Sequence, residues 1–231
     1  MRGRIGHRWI VSSWNGKLET LFRGQANRVV LLLGPALVLD LGTALAGRAA
    51  LAGHRVLYLD GANAFDPYIP ARMAREAGLD PRAVLERLFV SRAFTCHQFE
   101  TMVADRLEGS LRRYRPGLVV ISGWGHLFHD ENVPLKEAMR LLESTARAVR
   151  RLAERGAPVL ATHEDGPRVP RPRPIEPCLA RATATVIRVD QAEGQLRLTP
   201  VKGDATWPPL LMEDSSLLTW LRRPPGPWND R

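Results

Sequence analysis

Four short runs of continuously apolar residues limit what this chain can fold into: residues 28–33 (RVVLLL), 55–60 (RVLYLD), 118–122 (LVVIS) and 158–162 (PVLAT). A strand with one wet face alternates apolar and polar residues, whereas a strand apolar throughout is covered on both faces. The segments between these runs carry helical spacing. Residues 41–51 are rich in Ala and Leu and stop before Gly53, a residue that commonly closes a helix. Within residues 98–114, Phe99, Met102, Val103, Leu107, Leu111 and Tyr114 share one side. Within residues 135–154, Leu135, Ala138, Met139, Leu142, Ala146, Val149, Leu152 and Ala153 form one stripe. Shorter helices are expected at 70–77 and 83–87, and a short strand at 88–91. Buried strands alternating with helices specify an α/β fold with a mainly parallel sheet flanked by helices. Residues 181–190 and 195–202 alternate around Glu193-Gly194 and predict a C-terminal antiparallel β-hairpin. Ligands of such sheets bind at the carboxyl ends of the strands. Those ends are Gly34 onward, Asp60-Gly61-Ala62, Ser122-Gly123-Trp124 and Thr162-His163-Glu164.

A chain of 231 residues, 45% hydrophobic and 25% charged, has enough apolar mass for one ordinary core and is not a disordered composition. The two cysteines, Cys96 and Cys178, exclude a disulfide scaffold and a four-cysteine zinc site. The longest apolar run, from Val29 to Leu39, is too short to span a bilayer. The first residues (MRGRIGHRWIVSSW) are basic without an apolar signal core, so a cytoplasmic protein is expected. The net charge is +9, and only Lys17, Lys136 and Lys202 among 33 basic residues are lysines. Two readings stand side by side: a compositional bias toward arginine with a solvated surface, or attraction to the phosphates of nucleic acid.

Longer strings then carry a resemblance. Residues 16–24 (GKLETLFRG), 58–67 (YLDGANAFDP) and 89–98 (FVSRAFTCHQ) resemble segments of the ATPase core of the RecA/RadA recombinase family, archaeal-eukaryotic branch. Residues 118–131, with Phe128 and Glu131, take the place of that family's magnesium-carboxylate strand, and the closing hairpin with Pro200 also fits. The likeness runs over roughly residues 16–212 and is similar to the short, RadB-like paralogues. It implies a RecA-like P-loop NTPase core over residues 28–212, an N-terminal segment over 1–27 and a C-terminal tail over 213–231 carrying Trp228. It also implies that the strands ending at Ser122 and Thr162 are neighbours, with Asp40 close by.

The family's nucleotide stations carry the wrong residues. The phosphate loop reads G-x-x-x-x-G-K-[ST], with backbone N–H groups and a Lys for the phosphates and a hydroxyl for Mg²⁺. Gly34 aligns with its first glycine, but Leu39, Asp40 and Leu41 stand where Gly, Lys and Ser/Thr belong. A carboxylate about 4 Å from a phosphate charge repels it by roughly 4 kcal/mol at an effective dielectric near 20. The catalytic Glu, past the strand ending at Asp60, falls on Ala62; the Mg²⁺-shell Asp falls on Ser122; the γ-phosphate-sensing Gln falls on Glu164. Phosphate binding, metal holding, water activation and sensing are lost together. The expectation is a degenerate ATPase with no catalytic residue and neither ATP nor Mg²⁺ as cofactor.

Other constellations are open. His126, His129 and Asp130 follow one strand and His163, Glu164 and Asp165 another. They could hold Zn²⁺ or Mn²⁺, or be loop residues and ion pairs, and no recognised ligand spacing assigns a metal. Cys96 lies between strand and helix, where a thiol is either activated or simply packed, and no definite base pairs with it. Ser12-Ser13, Ser122 and Ser215-Ser216 lack a nucleophile-elbow context. Residues 164–177 (EDGPRVPRPRPIEP) occupy the place of the family's second DNA-binding loop. Prolines stiffen that segment and present Arg168, Arg171 and Arg173, side chains suited to phosphate and base stacking. Arg147, Arg150 and Arg151 on the 135–154 helix form a second candidate DNA surface. Two functions follow: a non-catalytic DNA-binding accessory of recombination or repair, meeting single-stranded DNA; or an interaction scaffold for a recombinase or repair polymerase. A residual ATP-binding regulator is a third.

Overall fold

A computed structural model describes residues 29–165, 174–192, 195–203 and 210–213. The strands are β1 (Val29–Gly34), β2 (Val56–Asp60), β3 (Leu88–Arg92), β4 (Leu118–Ser122), β5 (Val159–Glu164), β6 (Thr185–Ala192), β7 (Gln195–Lys202) and β8 (Leu210–Glu213). They form one sheet of order β3-β2-β4-β5-β1-β6-β7-β8. Pairing is parallel from β3 through β6 and antiparallel in β6–β7 and β7–β8. The architecture is α/β, with a mostly parallel central sheet and a C-terminal antiparallel hairpin. β4 and β5 are neighbours, and β1 lies beside β5.

The apolar runs are buried on both faces. Val29, Leu31 and Leu33 of β1 enter one apolar layer, and Val30 and Leu32 enter the other. The second layer is covered by α1 (Leu37–Leu51) and α2 (Tyr68–Glu76). α3 (Pro81–Leu85) packs beside them through Val84. The first layer is covered by α4 (Cys96–Thr101), α5 (Leu107–Tyr114), α6 (Leu135–Glu154) and α7 (Ile175–Ala182). A π-helical stretch, Met102–Arg106, joins α4 to α5. Each fully buried Leu, Ile or Val of these layers stabilises the fold by about 1.5–3 kcal/mol. No helix among the described residues is long and apolar enough to cross a membrane.

Four expectations require correction. α1 starts at Leu37, not 41, because the apolar residues of LVLDL gain burial as helix. α4 starts at Cys96, where Thr95 caps it by accepting from the Gln98 N–H at 3.2 Å and Gln98 accepts in return from the Phe94 N–H at 2.9 Å. The hairpin begins at Thr185, because residues up to Ala182 belong to α7. Ile175, Cys178, Leu179 and Ala182 bury one face of that helix despite the prolines around it. Leu135, expected in the core stripe, is 51% exposed at the start of α6. The 1–27 segment, the Glu193-Gly194 turn and the 213–231 tail with Trp228 lie outside the described residues, Glu213 excepted.

Candidate functional site

Connections leaving β1 and β2 run to one face of the sheet, and those leaving β3, β4 and β5 run to the other. Adjacent strands whose connections part to opposite faces open a crevice at their carboxyl ends. Three such places lie at β1/β5, β2/β4 and β2/β3, and the nucleotide stations of the sequence line the first two: Gly34, Glu164, Asp60 and Ser122.

The β1/β5 place is closed by the chain itself. Only Pro35 and Ala36 separate β1 from α1, so no wide loop exists to wrap a phosphate. The Val38 and Leu39 N–H groups donate to the Pro35 and Ala36 carbonyls at 2.9 and 3.0 Å, and the Asp165 N–H donates to the Gly34 carbonyl at 2.7 Å. The position that the Gly34 alignment would give a phosphate loop is taken by the start of α1. Leu39 and Leu41 point into the core, at 7% and 2% exposure. Asp40 lies half-buried in the first turn of α1, where the helix dipole favours an acid. Gly34 also has a packing reason to be glycine: a Cβ there would collide with the Val189 carbonyl of β6.

The β2/β4 place is filled by hydrogen bonds. The Asp60 carboxylate is fully buried and accepts from the Ala64 and Phe65 N–H groups, both at 3.1 Å, and from Arg92 Nε at 3.0 Å. Arg92 also donates to the Phe65 carbonyl at 3.0 Å. These bonds fold the 61–65 loop back over the strand end, and Gly61 N–H donates to the Ser122 carbonyl at 2.9 Å. Ala62 is half-buried against the α1 layer. Ser122 is buried; its hydroxyl lies close enough to Tyr58 to act on the phenol, yet meets no partner at hydrogen-bonding geometry. The Tyr58 hydroxyl shares a 2.8 Å hydrogen bond with Thr43. Burial pushes that phenol up to about 12, against the opposite pull of the Ser122 and Thr43 hydroxyls. Glu164 ends β5 half-buried.

The histidines beyond β4 and β5 do not assemble a ligand set. Among the described residues no three His, Cys, Asp or Glu side chains gather as a metal site. His163 is 1% exposed, and among the described residues neither ring nitrogen has a hydrogen-bond partner. Its ring lies 6.1 Å from that of His129, nearly parallel, and a Cβ at Gly125 would press on it. Burial first, then the neighbouring His129 and His126, pulls His163 down to about 4. Asp165 turns instead to Arg188, at 2.8 Å, and Asp130 accepts from the Asn132 N–H at 2.9 Å. His126 and Asp130 are exposed.

Cys96 has a base after all. Its Sγ lies 3.6 Å from His97 Nδ1, and His97 Nε2 lies 2.9 Å from Glu137 Oε1. The dipeptide was visible in the sequence; Glu137, forty residues away, was not. The thiol is 1% exposed and burial pushes it up, so this arrangement holds a protonated, packed sulfur rather than a nucleophile. Of the arginine candidates, Arg147, Arg150 and Arg151 are exposed on α6, with Arg147 4.0 Å from Glu143. Arg168, Arg171 and Arg173 lie outside the described residues. No protein-family model matches the chain.

Proposed function

We propose that this chain is a RecA/RadA-like paralogue that has given up nucleotide chemistry and serves as a non-catalytic, DNA-binding accessory in recombination or repair, in the cytoplasm. The observation that carries the first half is the closed carboxyl edge. Where a nucleotide would need an open glycine loop and a free carboxylate, α1 begins two residues after β1 and Asp60 is spent on Arg92 and two backbone amides. The exposed Arg147, Arg150 and Arg151 of α6, on a chain of net charge +9, support the second half. The test is paired. Calorimetry with Mg-ATP should give no heat of binding, while fluorescence anisotropy should show salt-dependent binding of single-stranded DNA. Micromolar Mg-ATP binding that disappears on substitution in residues 34–41 would overturn the degenerate-site reading.

One observation favours the scaffold reading, in which a recombinase or repair polymerase is the partner. Among the described residues β3 is an edge strand paired with β2 alone; Val90 within it is 37% and Phe94 beyond it 66% exposed. An open edge with bare apolar side chains is a surface onto which another protein docks. Copurification of a partner lost on Phe94→Ser, with DNA binding absent at low salt, would select this reading.

A further inference from the structure

The amino edge of the sheet, opposite the nucleotide stations, carries a cluster of exposed arginines. α5 and α6 both end there, just before β4 and β5. Arg112, Arg113 and Arg115 stand at the end of α5, Arg151 and Arg155 at the end of α6, and Arg55 directly before β2; all are exposed. β2, β4 and β5 are consecutive in the sheet, so these groups recur along an edge about 10 Å long, at about 4.8 Å per strand.

The two helix ends are locked together. Glu108 Oε1 accepts from Arg155 Nη1 at 2.8 Å and from Arg112 Nη1 at 3.0 Å. Arg55 Nη1 donates to the Tyr114 carbonyl at 3.3 Å, answering the negative end of α5. Those three arginines have structural work. Arg113, Arg115 and Arg151 do not: among the described residues no carboxylate pairs with any of them. Arg151 lies one turn before Arg155 on the same face of the helix. The remaining acids of the region are Glu154 and Glu86, the latter paired with Arg82.

Aromatic surface adjoins this charge. Phe89 and Tyr114 stack with ring centroids 4.1 Å apart, both half-buried, and the Arg113 guanidinium lies 5.2 Å from the Tyr114 ring centre. A cationic edge interleaved with flat π surfaces matches a polymer that alternates phosphate and base, and stacking of unpaired bases on such surfaces is tolerant of sequence.

We propose that this amino edge is the binding surface for single-stranded nucleic acid, with phosphates on Arg113, Arg115 and Arg151 and a base stacked on the Arg113–Tyr114–Phe89 ladder. The proposal rests on the DNA-binding reading above, keeps Arg151 of the α6 surface and adds the arginines at the end of α5 to it. The full chain and two variants are titrated into labelled oligodeoxythymidylate over a potassium chloride series. One variant is Arg113→Glu/Arg115→Glu/Arg151→Glu; the other is Arg168→Glu/Arg171→Glu/Arg173→Glu. At about 0.7 log unit per phosphate, three lost contacts weaken binding about 100-fold near 0.1 M salt and flatten the log–log slope by about two units. The amino-edge variant should show this and the other variant should not. Ultraviolet crosslinking should put the adduct on Tyr114 or Phe89. If the charge reversal lowers the melting temperature, the corresponding Arg→Gln triple is read in its place. Wild-type binding that the amino-edge variant retains in affinity and slope overturns the proposal and leaves the DNA reading intact. Absence of wild-type binding at low salt overturns both.

Discussion

Asp60 and Arg92 face each other in register on β2 and β3, and their 3.0 Å ion pair is made by a carboxylate with no exposed surface. The carboxylate is a structural clamp on the 61–65 loop. Replacing Asp60 by Ala leaves two amides unmet and Arg92 without its partner, and should cost about 3 kcal/mol. Asp60→Asn keeps one acceptor oxygen and should cost less. Urea denaturation of the two variants checks the order. Equal stabilities for wild type and Asp60→Ala would show that the carboxylate does not hold the loop.

Tyr58 and Thr43 supply a second, smaller prediction. Their 2.8 Å hydrogen bond is buried, but Thr43 Oγ1 also lies 3.2 Å from the Leu39 carbonyl and retains that bond when the phenol oxygen is removed. Tyr58→Phe should therefore cost only about 1 kcal/mol. Because the phenol is pushed up to about 12, it should stay un-ionised in a spectrophotometric titration until alkali unfolds the chain. Ionisation of a buried tyrosine near its ordinary value, in the folded state, would contradict this burial.

The fold was legible where punctuation was hard. β4 is bracketed by Gly117 and Gly123, and α6 by Pro134 and Gly156, and both coincide with their expected bounds. α7 was hidden because the prolines around it read as a loop, although Ile175, Cys178, Leu179 and Ala182 already carry helical spacing. The start of α1 was misplaced for another reason: residues 37–41 continue the apolar run of β1 past Gly34-Pro35, so composition alone marks no boundary there. At the site, the residues that end the strands were legible: Gly34, Asp60, Ser122 and Glu164 close β1, β2, β4 and β5. Their partners were not, because the Asp60–Arg92 and His97–Glu137 pairs join residues 32 and 40 positions apart. Such pairs follow from strand order and helix docking, which no local pattern encodes.

Restoring the two missing phosphate-loop side chains should not restore the site. Asp40→Lys/Leu41→Thr places them on a helix that has already begun, with Leu41 buried at 2% exposure. Exchanging that leucine for a smaller polar side chain should cost about 2 kcal/mol. Calorimetry should show no Mg-ATP binding by the double variant, and no phosphate release with or without DNA. Binding in the micromolar range would mean that residues 34–41 can unwind into an open loop.

Acid should loosen the carboxyl edge through His163. In the folded chain its imidazole is pulled down to about 4, while in the unfolded chain it returns to its ordinary 6.5. The unfolded state thus binds the proton more readily below pH 6.5. This contribution to stability is whole above that pH, declines as the pH falls, and is gone below about 4. The full difference amounts to about 3 kcal/mol, since each pH unit between the two values carries ~1.4 kcal/mol. The cause is local: burial, with His129 and His126 as the charged neighbours that would repel an imidazolium and no acceptor for either ring nitrogen. His163→Leu removes the titrating group and the unmet nitrogens together, so its stability should fall less steeply than that of the wild type between pH 6.5 and 4.5. Urea midpoints across that range measure the difference. Parallel curves for the two proteins would show that His163 is either solvated or already paired, and the acid response would belong to other groups.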